Sequence, residues 1–203
     1  KLNTSVSDLD SFNPDIIFIC VPTPMNIDGT QDMKILMEVI NEIKQLKSLS
    51  HIVIKSTVIP NNLSLIENLI PEVIYNPEFL RERNALEDFI NSDSIIFGSN
   101  KGDTSYLENF YTKYTNCSNP EYIHTDLITA SFVKYTINTF LASKVTFFNE
   151  IYNLYKKSET TSDWKSFITI LSKDKRIGNS HMEVPGPDGR FGFGGACFPK
   201  DCL

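Results

Sequence analysis

The stretch DIIFICVPTP, residues 15–24, decides the fold. Asp15-Ile-Ile-Phe-Ile-Cys-Val21 is a short, continuous apolar run closed by Pro22, the pattern of a strand buried on both faces, as parallel sheets require. Pro22-Thr-Pro24 then forces an extended exit. Outward from it, Met33, Leu36, Met37, Ile40, Ile43 and Leu46 recur at helical spacing within residues 31–48, and His51-Ile-Val-Ile-Lys-Ser56 reads as the next strand. That is one βαβ unit. The alternation continues with a short helix near 60–70, strands at Glu72-Val-Ile-Tyr75 and Ser94-Ile-Ile-Phe-Gly98, a helix near 102–115 and a strand at Glu121-Tyr-Ile-His-Thr125. The expectation for residues 1–125 is an α/β domain with a doubly wound, largely parallel sheet, whose ligands bind beyond the carboxyl ends of the strands. Pro22-Thr-Pro24 and Ser56-Thr57 lie at such ends.

From Thr125-Asp126, a capping pair, the chain runs to about Lys157 without proline or glycine. About 32 residues would span roughly 48 Å as one helix, too long for one face of a small domain. The helix therefore reads as a connector opening a second, mainly helical domain over residues 126–203. Its surplus of Phe132, Phe140, Phe147, Phe148, Tyr152 and Tyr155 points to burial against a second subunit, a homodimer through residues 126–157. A further helix is expected over about Thr161 to Lys173, followed by a glycine-rich loop from Arg176 to Gly195. Such a loop beside a cysteine suggests ligand contact.

Composition narrows the function. The 203 residues are 41% hydrophobic, enough for a real core, and 19 basic against 25 acidic residues give a net charge of -6 without any basic block. Generic binding to nucleic acid or to an anionic membrane is not expected. Cys20, Cys117, Cys197 and Cys202 show no paired spacing and the three histidines are scattered, so neither a disulfide framework nor a metal site is expected. No apolar run approaches the length of a membrane span, and Lys1-Leu-Asn-Thr4 has no signal-peptide pattern, which makes the cytoplasm the default. The first residue is not methionine, which suggests a fragment.

The chemistry concentrates near Cys197. A free cysteine is ordinarily a small buried residue. Here, glycines at 192, 194 and 195 let backbone approach a ligand, and Lys200 offers positive potential that favours a thiolate. If a helix opens at Cys197, Asp201 falls one turn along on the same face, where its carboxylate can position or deprotonate a water. Lys134 and Asn138 are four apart on one face of the long helix; they read either as a snorkelling lysine with an asparagine bonded to backbone, or as paired donors for an oxyanion. Glu78 and Glu82, in Asn76-Pro-Glu-Phe-Leu-Arg-Glu82, follow a strand; solvated helix-start acids are the simpler explanation for them. Thr57 sits at a similar strand end. No glycine-rich dinucleotide fingerprint is present.

Taken together, Val21-Pro-Thr-Pro24, Lys55-Ser-Thr-Val58, Asn76 to Glu82, Lys134-Tyr-Thr-Ile-Asn138 with Phe140-Leu-Ala142, Asn149-Glu150 and Gly192-Phe-Gly-Gly-Ala-Cys-Phe-Pro-Lys-Asp201 resemble, in order, the UDP-glucose 6-dehydrogenases within the nucleotide-sugar dehydrogenase family. The resemblance covers essentially the whole chain. It implies that residues 1–125 are the C-terminal part of a Rossmann-like NAD-binding domain and residues 126–203 the start of a central catalytic and dimerisation domain. It also implies a reaction, the NAD-dependent four-electron oxidation of UDP-glucose to UDP-glucuronate, with Cys197 as nucleophile through a thiohemiacetal and a thioester. On the same basis Lys134 and Asn138 stabilise the oxyanion, Asp201 and Thr57 hold the water, and Glu82 lies near the nicotinamide as an acid-base candidate. Glu78, Phe79, Leu80, Arg176, Phe191 and Gly192 match substrate contacts, Arg176 reaching a neighbouring subunit's ligand. Val21, Pro22, Thr23, Ser56, Thr57, Glu82 and Lys200 match the cofactor side. Glucuronate supply for polysaccharide synthesis is the family's usual role.

Measured against that pattern, the chain lacks the first βαβ unit with its glycine fingerprint and the C-terminal UDP-binding domain, which would leave a sheet edge exposed. Two other readings stay open, a GDP-mannose dehydrogenase and a non-catalytic truncated dimerisation module.

Overall fold

A computed structural model describes residues 5–47, 50–195 and 197–202, with Glu82 described by its backbone alone. The chain divides into two compact units, Lys1–Lys134 and Tyr135–Leu203.

The first unit opens with a short helix α1 (Leu9–Phe12) and the expected strand β1 (Ile16–Ile19). Helix α2 (Lys34–Ile43), strand β2 (His51–Ile54), helix α3 (Pro60–Leu69) and strand β3 (Ile74–Tyr75) follow. Next come α4 (Ala85–Ile90), β4 (Ser94–Gly98), α5 (Ser105–Tyr114), β5 (Glu121–Thr125) and the start of α6 (Leu127–Lys156). The sheet order is β1-β2-β3-β4-β5. All neighbours are parallel except β3 and β4, which meet antiparallel at Tyr75 and Gly98. The carboxyl ends of β1, β2 and β3 therefore share one edge.

The period of two in the strands explains why helices cover both faces. Ile17, Ile19, Ile52, Ile54, Tyr75 and Ile96 face one core, against Leu36, Ile40 and Ile43 of α2, Leu63 and Ile66 of α3, and Leu127 and Ala130 of α6. Val53, Ile74, Ile95 and Phe97 face the other, against Leu107 and Tyr111 of α5. Each such burial contributes about 1.5–3 kcal/mol. Pro60 starts α3 where its missing N–H is harmless. Asp126 caps α6 by accepting from the Thr129 N–H at 2.8 Å. At Gly98 a side chain has no room, since a Cβ would lie 2.6 Å from the Ala130 Cβ.

The second unit consists of the rest of α6, α7 (Trp164–Leu171) and α8 (Phe198–Asp201), with the intervening loop. Its core gathers Phe148, Met182 and Val184 with Tyr152, Trp164, Ile168 and Leu171. This corrects the expectation that the aromatic surplus of α6 faces outward as a set. Phe148 is in the unit's own core, and Tyr152 and Tyr155 pack on Trp164, while Phe132, Phe140 and Phe147 stay exposed. Hydrogen bonds tie the loop to α6, with Lys144 Nζ donating to the Ile177 carbonyl at 2.8 Å and the Gly192 N–H donating to Asn149 Oδ1 at 2.9 Å. No helix among the described residues is long and apolar enough to cross a membrane.

Candidate active site

The expected site residues fall into two groups, one in each unit. In the first unit, the exits of β1 and β2 lie side by side. Thr23 is buried, and its hydroxyl donates to the Thr57 carbonyl at 2.6 Å. Ser56 is buried too and donates to the Val21 carbonyl at 2.6 Å. Both hydroxyls therefore hold the two exits together, and Pro22 stands exposed between them. The Thr57 hydroxyl, by contrast, makes no hydrogen bond among the described residues.

Beyond β3 the chain is extended, so Glu78 does not begin a helix, contrary to the simpler explanation of its charge. Glu78 is exposed, and its carbonyl accepts from Lys134 Nζ, which also lies 5.3 Å from the centre of the Phe79 ring. Lys134 is only 5% exposed, so the lysine is not snorkelling to water. It braces the Glu78-Phe79-Leu80 strip instead. Glu82 opens a short 3-10 turn, and its side chain lies outside the described residues. Arg81 in the same motif is fixed by Asp88, which accepts from its Nε at 2.9 Å; that hydrogen bond lowers the Asp88 carboxyl to about 2.

Behind this strip is a polar cluster that the sequence pattern did not single out. Asn76, 1% exposed, donates to the Ile96 carbonyl at 2.9 Å and accepts at Oδ1 from Tyr111 at 2.5 Å and from Lys55 at 3.2 Å. Desolvation pushes the Lys55 ammonium below the usual lysine range, opposed by the nearby Glu78 charge. Burial likewise raises the Tyr111 phenol. An asparagine directly between a strand and a proline was the available signal, because a buried strand end there needs a side chain to satisfy the neighbouring strand.

In the second unit, Cys197 caps the four-residue α8 and is exposed. The helix begins where the cysteine expectation required, and the Asp201 N–H donates to the Cys197 carbonyl at 3.0 Å, one turn on. The Asp201 side chain has 0% exposure. Its Oδ2 accepts from Asn138 Nδ2 at 2.6 Å and its Oδ1 from Lys200 Nζ. Lys200 is thus paired with Asp201. Asn138 is bonded to a carboxylate and not to backbone. Among the described residues, one N–H of its amide and one lone pair on each Asp201 oxygen have no other partner.

The remaining substrate candidates lie on the loop. Arg176 is exposed and grips Asp174 with two nitrogens, Nε to Oδ1 at 2.9 Å and a terminal nitrogen to Oδ2 at 2.5 Å. Phe191 packs 6.0 Å from the Tyr152 ring, and Gly192 adopts a positive φ of 78° that favours glycine. Among the described residues no cluster of histidine, cysteine or carboxylate groups could hold a metal ion.

The donor set at the β1 and β2 exits fits part of a dinucleotide. It offers backbone and a neutral hydroxyl at Thr57, polar groups that can orient a bound ring or ribose. Residues 2–115 match the NAD binding domain of the UDP-glucose/GDP-mannose dehydrogenase family, and residues 128–203 match its central domain. A UDP-glucose 6-dehydrogenase from Rickettsia bellii is 40% identical over 208 residues, covering 98% of this chain and 46% of the relative. A solved UDP-glucose dehydrogenase from Pyrobaculum islandicum superposes with a TM-score of 0.80 at 31% identity, over 98% of this chain and 46% of its own. The GDP-mannose dehydrogenase from Pseudomonas aeruginosa gives a TM-score of 0.69 at 32% identity, over 92% and 45%. The chain thus spans about half the length of the relatives it matches. Its two matched segments, one to the NAD binding domain and one to the central domain, account for most of its length, and the chain belongs to the UDP-glucose/GDP-mannose dehydrogenase family.

Proposed function

We propose that, as part of an intact enzyme, this chain oxidises UDP-glucose to UDP-glucuronate, with Cys197 as the covalent nucleophile. The observation that carries the reading is the buried Asp201 carboxylate, fixed at both oxygens by Asn138 and Lys200 one turn after an exposed cysteine. A wholly buried carboxylate with two donors and spare acceptor capacity is difficult to justify by stability alone.

The C6 alcohol is first oxidised to the aldehyde. The Cys197 thiolate adds to its carbonyl carbon, forming the C–S bond of a thiohemiacetal, and the developing oxyanion takes hydrogen bonds from Lys134 and the second N–H of Asn138. Oxidation of that carbon gives the thioester. Water held by Asp201 and Thr57 then attacks, the C–S bond breaks, and the thiol returns as the acid leaves. NAD, when bound, supplies the hydride acceptor for both oxidations, so two are reduced per sugar. Val21, Pro22, Thr23, Ser56 and Thr57 would hold it on the strand exits, with Glu82 and Lys200 as further contacts. Glu78, Phe79, Leu80, Phe191 and Gly192 bind the sugar nucleotide, and Arg176, once released from Asp174, reaches the ligand of the neighbouring subunit.

The exposed Phe132, Phe140 and Phe147 support a homodimer through helix 126–157. All four cysteines are free, as a reducing cytoplasm keeps them. The test is the number of NADH formed per UDP-glucose consumed by the full-length gene product. Two is expected, and Cys197→Ser should stop the reaction before acid release. A ratio of one, or normal glucuronate output from Cys197→Ser, refutes the mechanism. Turnover of GDP-mannose in place of UDP-glucose would reassign the substrate.

A further inference from the structure

The loop 57–59 leaves β2 with its backbone bound by side chains from several other elements. The Thr57 carbonyl accepts from Thr23 Oγ1 at 2.6 Å and from Gln31 Nε2 at 2.9 Å. The Val58 carbonyl accepts from Ser131 Oγ at 2.7 Å, and the Val58 N–H donates to the Tyr75 hydroxyl at 3.4 Å. The Ile59 N–H donates to Gln31 Oε1 at 3.2 Å, which also accepts from Asn62 Nδ2 at 3.1 Å. Gln31 alone grips the loop at both ends. Its amide orientation follows from its partners, since the nitrogen must meet a carbonyl and the oxygen must meet an N–H.

The residue is itself fixed. It closes a small turn through a bridge with Met25, and the turn is held by Asp32 N–H to the Pro24 carbonyl at 2.7 Å and Asn26 N–H to the Thr30 carbonyl at 2.8 Å. A rigid turn after β1 therefore reaches across to the exit of β2. With the Thr57 carbonyl doubly bonded, its hydroxyl makes no hydrogen bond among the described residues.

We propose that Gln31 is a positioning residue for Thr57, holding the loop backbone so that the hydroxyl stays placed for the water that hydrolyses the acyl-enzyme. The proposal rests on the reading of Thr57 given above. Neither Gln31 nor its turn touches the reacting atoms in that mechanism.

The test uses the full-length protein with Gln31→Met, Gln31→Glu and Thr57→Ala. Two quantities are read: hydrogen exchange of the Ile59 amide, and the fraction of Cys197 trapped as sugar-nucleotide thioester by acid quench and mass spectrometry during turnover. Gln31→Met should raise Ile59 exchange about tenfold and slow acid release about tenfold, with thioester accumulating and the KM for UDP-glucose nearly unchanged. Gln31→Glu retains the acceptor for the Ile59 N–H but sets a carboxylate against the Thr57 carbonyl. It should therefore leave Ile59 protected while acid release slows, a separation that general loosening of the fold does not produce. Unchanged Ile59 exchange in Gln31→Met overturns the proposal. So does normal acid release in both Gln31 variants when Thr57→Ala slows it. If Thr57→Ala itself releases acid normally, the water-holding reading of Thr57 falls, and the Gln31 role falls with it under that separate signature.

Discussion

Replacing Asn138 by leucine should destabilise the Tyr135–Leu203 unit by about 2–4 kcal/mol, and the number follows from the Asp201 contacts. The substitution removes a 2.6 Å charge-assisted hydrogen bond to a carboxylate of 0% side-chain exposure. Such a bond is worth about 1.5–3 kcal/mol, and leaving its buried acceptor without that donor adds about 1–3. Lys200 still neutralises Oδ1, which keeps the loss below that of an unpaired buried ion, and the apolar leucine offsets about 1 kcal/mol more. Trp164 is the only tryptophan of the chain and packs against Tyr155 and Phe167 within the same unit, so its emission reports this unit in a urea titration. With an m-value of about 1 kcal/mol/M the midpoint should fall by about 2 M or more. Pairing the change with Asp201→Leu should recover about 1.5–3 kcal/mol of coupling. A single-variant loss under about 0.5 kcal/mol, or coupling near zero, refutes the reasoning that Asn138 is what makes the buried carboxylate tolerable.

Other perturbations test the first unit. Gly98→Ala should lose about 1–3 kcal/mol in urea unfolding, because the new methyl meets Ala130 Cβ at 2.6 Å, and Ala130→Gly in the same chain should restore part of it. Tyr111→Phe should lose about 1 kcal/mol by removing the 2.5 Å bond to Asn76, and the loss should shrink in an Asn76→Leu background. Asp88 has its carboxyl lowered to about 2 by Arg81 from an ordinary value of 3.8. A depressed folded value means the pair stabilises above about pH 4 and loses that contribution as pH falls towards 2. Asp88→Asn should therefore be less stable than wild type at pH 7 and match it at pH 2, and 0.5 M salt should narrow the neutral-pH gap.

The β1, α2, β2 succession was legible because buried parallel strands are unbroken apolar runs and α2 repeats Leu36, Ile40 and Ile43 on one face. The long helix was legible from the absence of breakers, and its structural span, Leu127–Lys156, is close to the expected 126–157. Strand direction was not. The antiparallel β3 and β4 contact rests on how residues 76–93 turn the chain, and α4 within it has no buried residue to give a period. Site residues divided in the same way. The one-turn relation of Cys197 and Asp201 is local and could be read from spacing. The partner of Asn138 lies 63 residues away, and Gln31 sits in a polar turn with no pattern at all, so long-range hydrogen bonds decided both.

The loop after β2 also has a timetable. Thr23 and Gln31 precede their partner carbonyl by 34 and 26 residues, so both donors are already made when Thr57 emerges from the ribosome. Ser131, which closes the Val58 carbonyl, follows it by 73 residues. At synthesis rates of about 5–20 residues per second it arrives roughly 4–15 s later. During that interval the Val58 carbonyl waits for its donor, while Tyr75, which accepts from the Val58 N–H, has already been made. The last hydrogen bond of the loop is set by the passage of nascent chain, and a pause in translation before the codon for Ser131 would lengthen the time this segment spends half-finished.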